Sequence, residues 1–172
     1  MTLGSGVPLT FDGVVWRYLP AWGHPLDIGF LLLAAGRWNR YGEYGCLYTA
    51  LTREGAVAEY RKVANDHVGV AEREDAKRDI VSLAVRVTPV LDLTDRLVRR
   101  EWAVTLPALV GDSDGSLEGC RSIADAARTS GFRAILSPSA ALRGSANLSI
   151  YLEGRADQLL LRSGTTREPL NY

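Results

Sequence analysis

One stretch, from Gly36 to Tyr60, gathers an arginine among glycines and aromatics, a tyrosine in an apolar run and a glutamate on a helical face. Arg37 stands between Gly36 and Trp38, and a guanidinium there offers a planar fork of donors that grips an oxyanion at two points. Its plainer role is to stack on Trp38 or pair with Glu43. Glu59 borders an apolar stripe, where a carboxylate is partly desolvated unless a cation or a hydrogen-bond donor meets it. Arg37 is the natural candidate to meet it. Tyr48 has apolar neighbours and either packs in the core or turns its ring and hydroxyl to a ligand. Tyr41 and Tyr44 are loop aromatics that could line a pocket, whereas Arg40, Glu43 and Glu54 read as solvated surface.

These side chains need a loop, a strand and a helix in that order. Cys46 to Leu51 is a short apolar run bounded by Gly and Thr and predicts a buried strand. Thr52 is suited to cap a helix from Arg53, and Glu54 suits its first turn. The i, i+3, i+4 spacing then places Ala56, Tyr60, Val63, Ala64 and His67 on one side, with Glu59 at its edge.

Elsewhere, Val14 to Leu19 predicts a first strand. Its Arg17 either reaches a phosphate or sits in an edge-strand salt bridge. Val68 to Lys77 alternates in charge and reads as a solvated insert. Asp79 to Val87 and Val90 to Leu93 predict two strands, and Thr94 or Asp95 caps a helix to about Val104. Ser116 opens an amphipathic helix through Leu117, Cys120, Ile123, Ala124 and Ala127 that ends at Gly131. Arg133 to Leu136 is a strand interrupted by Ser137-Pro138-Ser139-Ala140, and Leu148 to Leu152 and Gln158 to Arg162 are the last two. Strands outnumber helices and are often joined by loops, so the fold class is α+β.

The 172 residues are expected to form a single domain, 1–172, with residues 1–10 loose. Net charge is zero, with 47% hydrophobic and 23% charged residues, which gives no electrostatic case for nucleic acid or a membrane surface. Two His and two Cys without a paired motif make a metal site improbable. Phe30 to Ala35 is far short of the ~20 residues that span a bilayer, no signal peptide is evident, and the cytoplasm is the expected location.

Three blocks in order carry a resemblance: Gly36-Arg37-Trp38-Asn39 with Gly42, then Leu47-Tyr48-Thr49-Ala50, then Ala56-Val57-Ala58-Glu59. Together they resemble the RES domain family, named for an Arg, a Glu and a Ser. Pro138-Ser139-Ala140 fits its serine, Trp16-Arg17 fits an aromatic-Arg pair near its start, and Asn147 lies where the family often has an asparagine before a strand. The resemblance runs from about Val14 to the C-terminal strands.

The resemblance implies an ADP-ribosyltransferase-like fold, two small sheets splayed around a dinucleotide cleft. It implies cleavage of the nicotinamide–ribose bond of NAD, as substrate and without a metal, with water or inorganic phosphate as acceptor. Arg37 would hold the pyrophosphate and Tyr48 the nicotinamide or ribose. Glu59 would stabilise positive charge on the sugar, the plainer alternative being an ion pair with Arg37. Ser139 would offer a hydroxyl to the ligand or to Arg37, or be a turn serine. Arg17, Tyr41 and Asn147 complete the expected binding residues. The chain would be the toxin of a toxin–antitoxin pair, its antitoxin bearing a helix-turn-helix and covering a cleft lined by Trp38, Tyr41 and Tyr44. Rival readings are a mono-ADP-ribosyltransferase acting on a cellular protein and a non-catalytic nucleotide-binding module.

Overall fold

The computed structural model describes residues 8–21, 23–26, 32–33, 35–67, 77–152, 161–162 and 166–170. Its strands are β1 (Leu9–Pro20), β2 (Gly45–Ala50), β3 (Arg78–Asp92), β4 (Ala134–Pro138), β5 (Ala146–Leu152), β6 (Leu161–Arg162) and β7 (Arg167–Pro169). The helices are α1 (Arg53–His67), α2 (Arg96–Glu101), α3 (Leu106–Val110) and α4 (Asp114–Thr129). Leu9 and Thr10, expected in a loose terminal stretch, belong to β1, and Leu9 pairs with Val90 of β3.

The pairing runs β1-β2-β5-β4-β3, and β3 returns to β1, so a mixed α+β molecule is built on a barrel-like sheet. Two joints of this circuit are thin. β1 meets β2 at the single pair Trp16↔Ala50, and the parallel joint of β3 with β4 spans Val90 to Asp92. By contrast β2 and β5 match along their length, from Gly45↔Leu152 to Ala50↔Asn147.

The apolar runs are continuous because both faces of these strands are covered. Leu47, Leu83, Leu136, Leu148 and Ile150 fill the inside. The alternate residues Cys46, Ile135 and Tyr151 face Trp38, Trp102, Leu109, Cys120 and Ala124 under α3 and α4. Tyr60 and Ala64 of α1 pack with Leu170, and Ala56 with Ala50 and Ile80.

Several element boundaries differ from expectation. The two strands predicted between Asp79 and Leu93 are one, β3, running through Pro89. Proline lacks only the donor, and the Pro89 carbonyl still accepts from the Arg133 amide at 2.8 Å. Similarly, Pro138 ends β4 rather than interrupting it. α4 begins two residues before Ser116, because Ser113 is its cap and accepts from the Ser116 amide. Its end is as read: Gly131 has φ 87°, the Phe132 amide donates to Ala127 and the Gly131 amide to Arg128, which is a Schellman closure. The helix after Asp95 divides at Ala103 (φ 51°) into α2 and α3, and β7 was not foreseen. The insert expected at Val68 to Lys77 lies, but for Lys77, outside the described residues, as do residues 158–160.

Candidate active site

α1 starts where the sequence places it. Thr52 Oγ1 accepts from the Gly55 amide at 3.0 Å, which fixes the helix over the ends of β2 and β5. Ala56, Tyr60 and Ala64 are buried, but Val63 is 42% exposed and Val57 takes its place in the packing. His67 ends the helix, and its side chain lies outside the described residues.

Glu59 is met by Ser139 and Asn147, not by Arg37. Ser139 Oγ donates to Glu59 Oε1 at 2.7 Å, and Asn147 Nδ2 donates to the same oxygen at 2.6 Å. The Ser139 hydroxyl also accepts from the amides of Ala141 and Leu142, at 3.1 and 3.0 Å. With its lone pairs so engaged, its proton is committed to the carboxylate. Asn147 stands on β5 opposite Ala50 of β2 and Ser137 of β4, so three strands hold it in place. The result is a half-buried carboxylate whose plane is set by two donors on one oxygen. Among the described residues Oε2 accepts no bond, and Asn147 Oδ1 is buried without a partner. Such a group presents fixed negative charge to whatever lies in front of it.

Tyr18 of β1 is a site neighbour that the sequence reading passed over. Its ring meets Tyr60 edge-on at 5.1 Å, and burial first, then the Glu59 charge, push its phenol above the ordinary range. A tyrosine directly after the matched Arg17 was the available signal.

Arg37 points elsewhere, to the turn between α3 and α4. Its Nη1 donates to the carbonyls of Leu109 and Gly111, both at 2.8 Å, and its Nη2 to Asp112 Oδ1 at 2.8 Å. The Asp112 carboxylate also receives Lys62 Nζ at 2.5 Å, and Lys62 lies one turn beyond Glu59 on α1. Arg37 and Glu59 thus bond different partners, with Lys62 of α1 reaching from the helix of one to the Asp112 of the other.

The loop carrying Arg37 is tied from two directions. Tyr48 Oη accepts from the Trp38 amide and donates to Asn39 Oδ1, both at 2.8 Å, and Asn39 Oδ1 also accepts from the Gly36 amide. From the other side the polar face of α4 grips it. Arg121 donates to the Gly36 carbonyl, Arg40 spans Glu118 and Asp125, and Tyr44 donates to Asp125. Arg40, read as plain surface, is one of these ties.

A family model of the RES domain matches residues 14–168. The chain belongs to the RES domain family. It is 33% identical over 145 residues to the probable NAD(+) phosphorylase Rv3189 of Mycobacterium tuberculosis, covering 83% of this chain. The chain spans 66% of that relative's length. Its fold matches, with TM-score 0.76 and 20% identity, a chain in the crystal structure of the M. tuberculosis MbcT-MbcA toxin-antitoxin complex, over 95% of this chain and 86% of that one.

In this RES domain the remaining expected site residues are dispersed. Arg17 is buried and donates to the Pro25 carbonyl at 2.8 Å. Tyr41 is 66% exposed. Trp38 and Tyr44 are buried in the layer under α4, where Arg128 stacks on the Tyr44 ring at 3.6 Å, and so they do not line an open cleft. Burial pushes the Cys46 thiol up to about 12 and raises that of Cys120 as well, which leaves neither as a thiolate nucleophile at neutral pH. Among the described residues no three of His, Cys, Asp and Glu lie together as a metal site, and no helix is long and apolar enough to cross a membrane. A groove of about 640 Å³ follows the outer side of α1, lined by Arg53, Val57, Arg61, Lys62, Ala140 and Leu142. Glu59 is not in it, and Lys62 is the corner it shares with the Arg37–Asp112 bridge.

Proposed function

We propose that this RES domain cleaves the nicotinamide–ribose bond of NAD and passes the ADP-ribosyl group to phosphate or water. The observation that supports it most is the Glu59 carboxylate, oriented by Ser139 and Asn147 with one oxygen open. When the C–N bond breaks, its electron pair leaves with nicotinamide and C1′ of the ribose becomes cationic. An oxygen of phosphate, or of water with loss of a proton, then bonds to C1′. A fixed carboxylate stabilises that cationic state more than the bound substrate. Arg37 serves the pyrophosphate, Tyr48 holds the loop that carries Arg37, and Asn147 keeps the Glu59 carboxylate in position for the ribose. Arg17 and Tyr41 are second-line binding residues in this reading. The sheet reading that accompanies it is the ADP-ribosyltransferase-like split around a dinucleotide cleft, which the thin β1–β2 and β3–β4 joints favour.

Phosphate is the favoured acceptor, because the curated relative is named an NAD(+) phosphorylase. Mass analysis of products from purified protein with NAD is expected to show nicotinamide in both buffers, with ADP-ribose 1″-phosphate only when phosphate is present. Label from NAD appearing on a cellular protein instead would mark a mono-ADP-ribosyltransferase. Binding without either product would mark a nucleotide-binding module and overturn the proposal.

The same reading makes the chain the toxin of a toxin–antitoxin pair in the cytoplasm, restrained by an antitoxin with a helix-turn-helix. Its support is the fold match to a chain of a toxin-antitoxin complex. Expression of this chain alone is expected to deplete cellular NAD and slow growth. Normal growth at a high level of active protein removes the reason to posit an antitoxin.

A further inference from the structure

We propose that Arg37 and Lys62 form a phosphate-binding subsite that Asp112 occupies as a resident stand-in for the phosphate. The proposal rests on the NAD-cleaving reading for its ligand and extends it to Lys62 and Asp112, which the family blocks do not include.

Three features carry it. First, Arg37 is held rigidly. Its Nη1 is anchored on the carbonyls of Leu109 and Gly111, which leaves the Nη2 edge facing outward with 15% of the side chain exposed. Second, a cation from another element converges on the same point. Lys62 of α1 bonds Asp112 Oδ2 at 2.5 Å while Arg37 bonds Oδ1 at 2.8 Å, so one carboxylate bridges the two. Two cations facing each other without an anion between them repel, so this position selects for negative charge. The Lys62 ammonium, with Arg37 adding to it, keeps the Asp112 carboxyl below the usual carboxylate range, and it is an anion at neutral pH.

Third, Asp112 can leave without disturbing the fold. Its side chain is 55% exposed, against 26% for that of Lys62. Gly111 before it closes α3, with its amide on Pro107, and a Cβ there would meet Ser116 Oγ at 2.7 Å; Ser113 after it caps α4. The backbone on both sides is therefore pinned, and rotation of one side chain empties the subsite. A dianionic phosphate offers more charge and more acceptor oxygens than a carboxylate and displaces it by mass action.

The phosphate has two sources, the pyrophosphate of the dinucleotide or the free phosphate acceptor, and two probes separate them. Calorimetry with inorganic phosphate and with ADP-ribose is compared for the wild type, Asp112→Asn, Lys62→Gln and the double variant. Asp112→Asn is expected to bind one probe about 5- to 30-fold more tightly, the scale of two partly exposed ion pairs that no longer have to be broken. Lys62→Gln is expected to weaken the same probe and to cancel most of the gain in the double variant. Tighter ADP-ribose alone assigns the subsite to the pyrophosphate, and tighter inorganic phosphate assigns it to the acceptor. If Asp112→Asn binds neither probe more tightly, or if Lys62→Gln leaves the gain intact, the subsite is overturned and Asp112 is only a clamp between α1 and α4. Asp112→Ser, read the same way, guards against an amide that bridges the two cations as the carboxylate does. NAD turnover is measured separately on the wild type: a silent enzyme with the binding pattern above loses the NAD reading and keeps the subsite, and an active enzyme without that pattern does the reverse.

Discussion

Glu59→Gln is expected to lower the saturated rate of NAD consumption by on the order of 10²–10³, the usual cost of removing one preorganised charge or donor at a developing charge. The substitution keeps an acceptor oxygen for Ser139 and Asn147 and removes only the negative charge. Because Arg37 is anchored on Leu109, Gly111 and Asp112, it does not lose a partner in this variant. Thermal stability is therefore expected to hold to within about 1 kcal/mol, the net worth of an ordinary hydrogen bond. NAD affinity is expected to change far less than the rate, since the cationic sugar exists only near the transition state. Melting temperature, NAD affinity and saturated rate on one preparation decide the matter, and an unchanged rate ends the catalytic assignment.

The second large effect is structural. A Cβ on Gly36 would lie 2.2 Å from Tyr48 Oη, 2.6 Å from Asn39 Oδ1 and 2.8 Å from Tyr48 Cζ. Gly36→Ala must therefore push away the hydroxyl that holds the Trp38 amide and Asn39. Overpacking costs about 1–3 kcal/mol and each buried hydrogen bond broken about as much again. For a chain of this size, 1 kcal/mol corresponds to roughly 2–4 °C, so a fall of about 5–12 °C is expected. Tyr48→Phe removes the hydroxyl and with it the shortest of these contacts. The double variant should be more stable than the sum of the two single losses, and strict additivity in thermal melts would show that the clash lies elsewhere.

Local signals were legible in the sequence. The Thr52 cap, the apolar run of β2 and the Gly131 terminus of α4 each depend on residues within a few positions, and all are where the pattern puts them. The family blocks named Arg37, Tyr48, Glu59, Ser139 and Asn147, and the structure brings the last three together. What could not be read was who pairs with whom. Glu59 and Arg37 looked like partners because they are near in sequence and opposite in charge, whereas Glu59 meets two neutral donors from distant strands and Arg37 meets two carbonyls and Asp112. Backbone carbonyls carry no sequence signature, so an arginine anchored on them is invisible beforehand. Val63 shows the same limit: helical spacing gives its direction, but not whether another element covers that face. Trp38 and Tyr44 were taken for cleft residues because they sit in a loop, yet this loop is folded under α4.

The two donors that orient Glu59 come 80 and 88 residues after it. Until β4 and β5 have joined β2, the carboxylate has neither its aim nor its neighbours, and loop closure over such a distance comes late in folding. A nascent chain thus carries Arg37, Tyr48 and Glu59 without an assembled centre until Ser139 and Asn147 have emerged from the ribosome. For a protein proposed to be harmful to the cell that makes it, this order of assembly keeps prematurely terminated products harmless and leaves only the finished fold to be restrained.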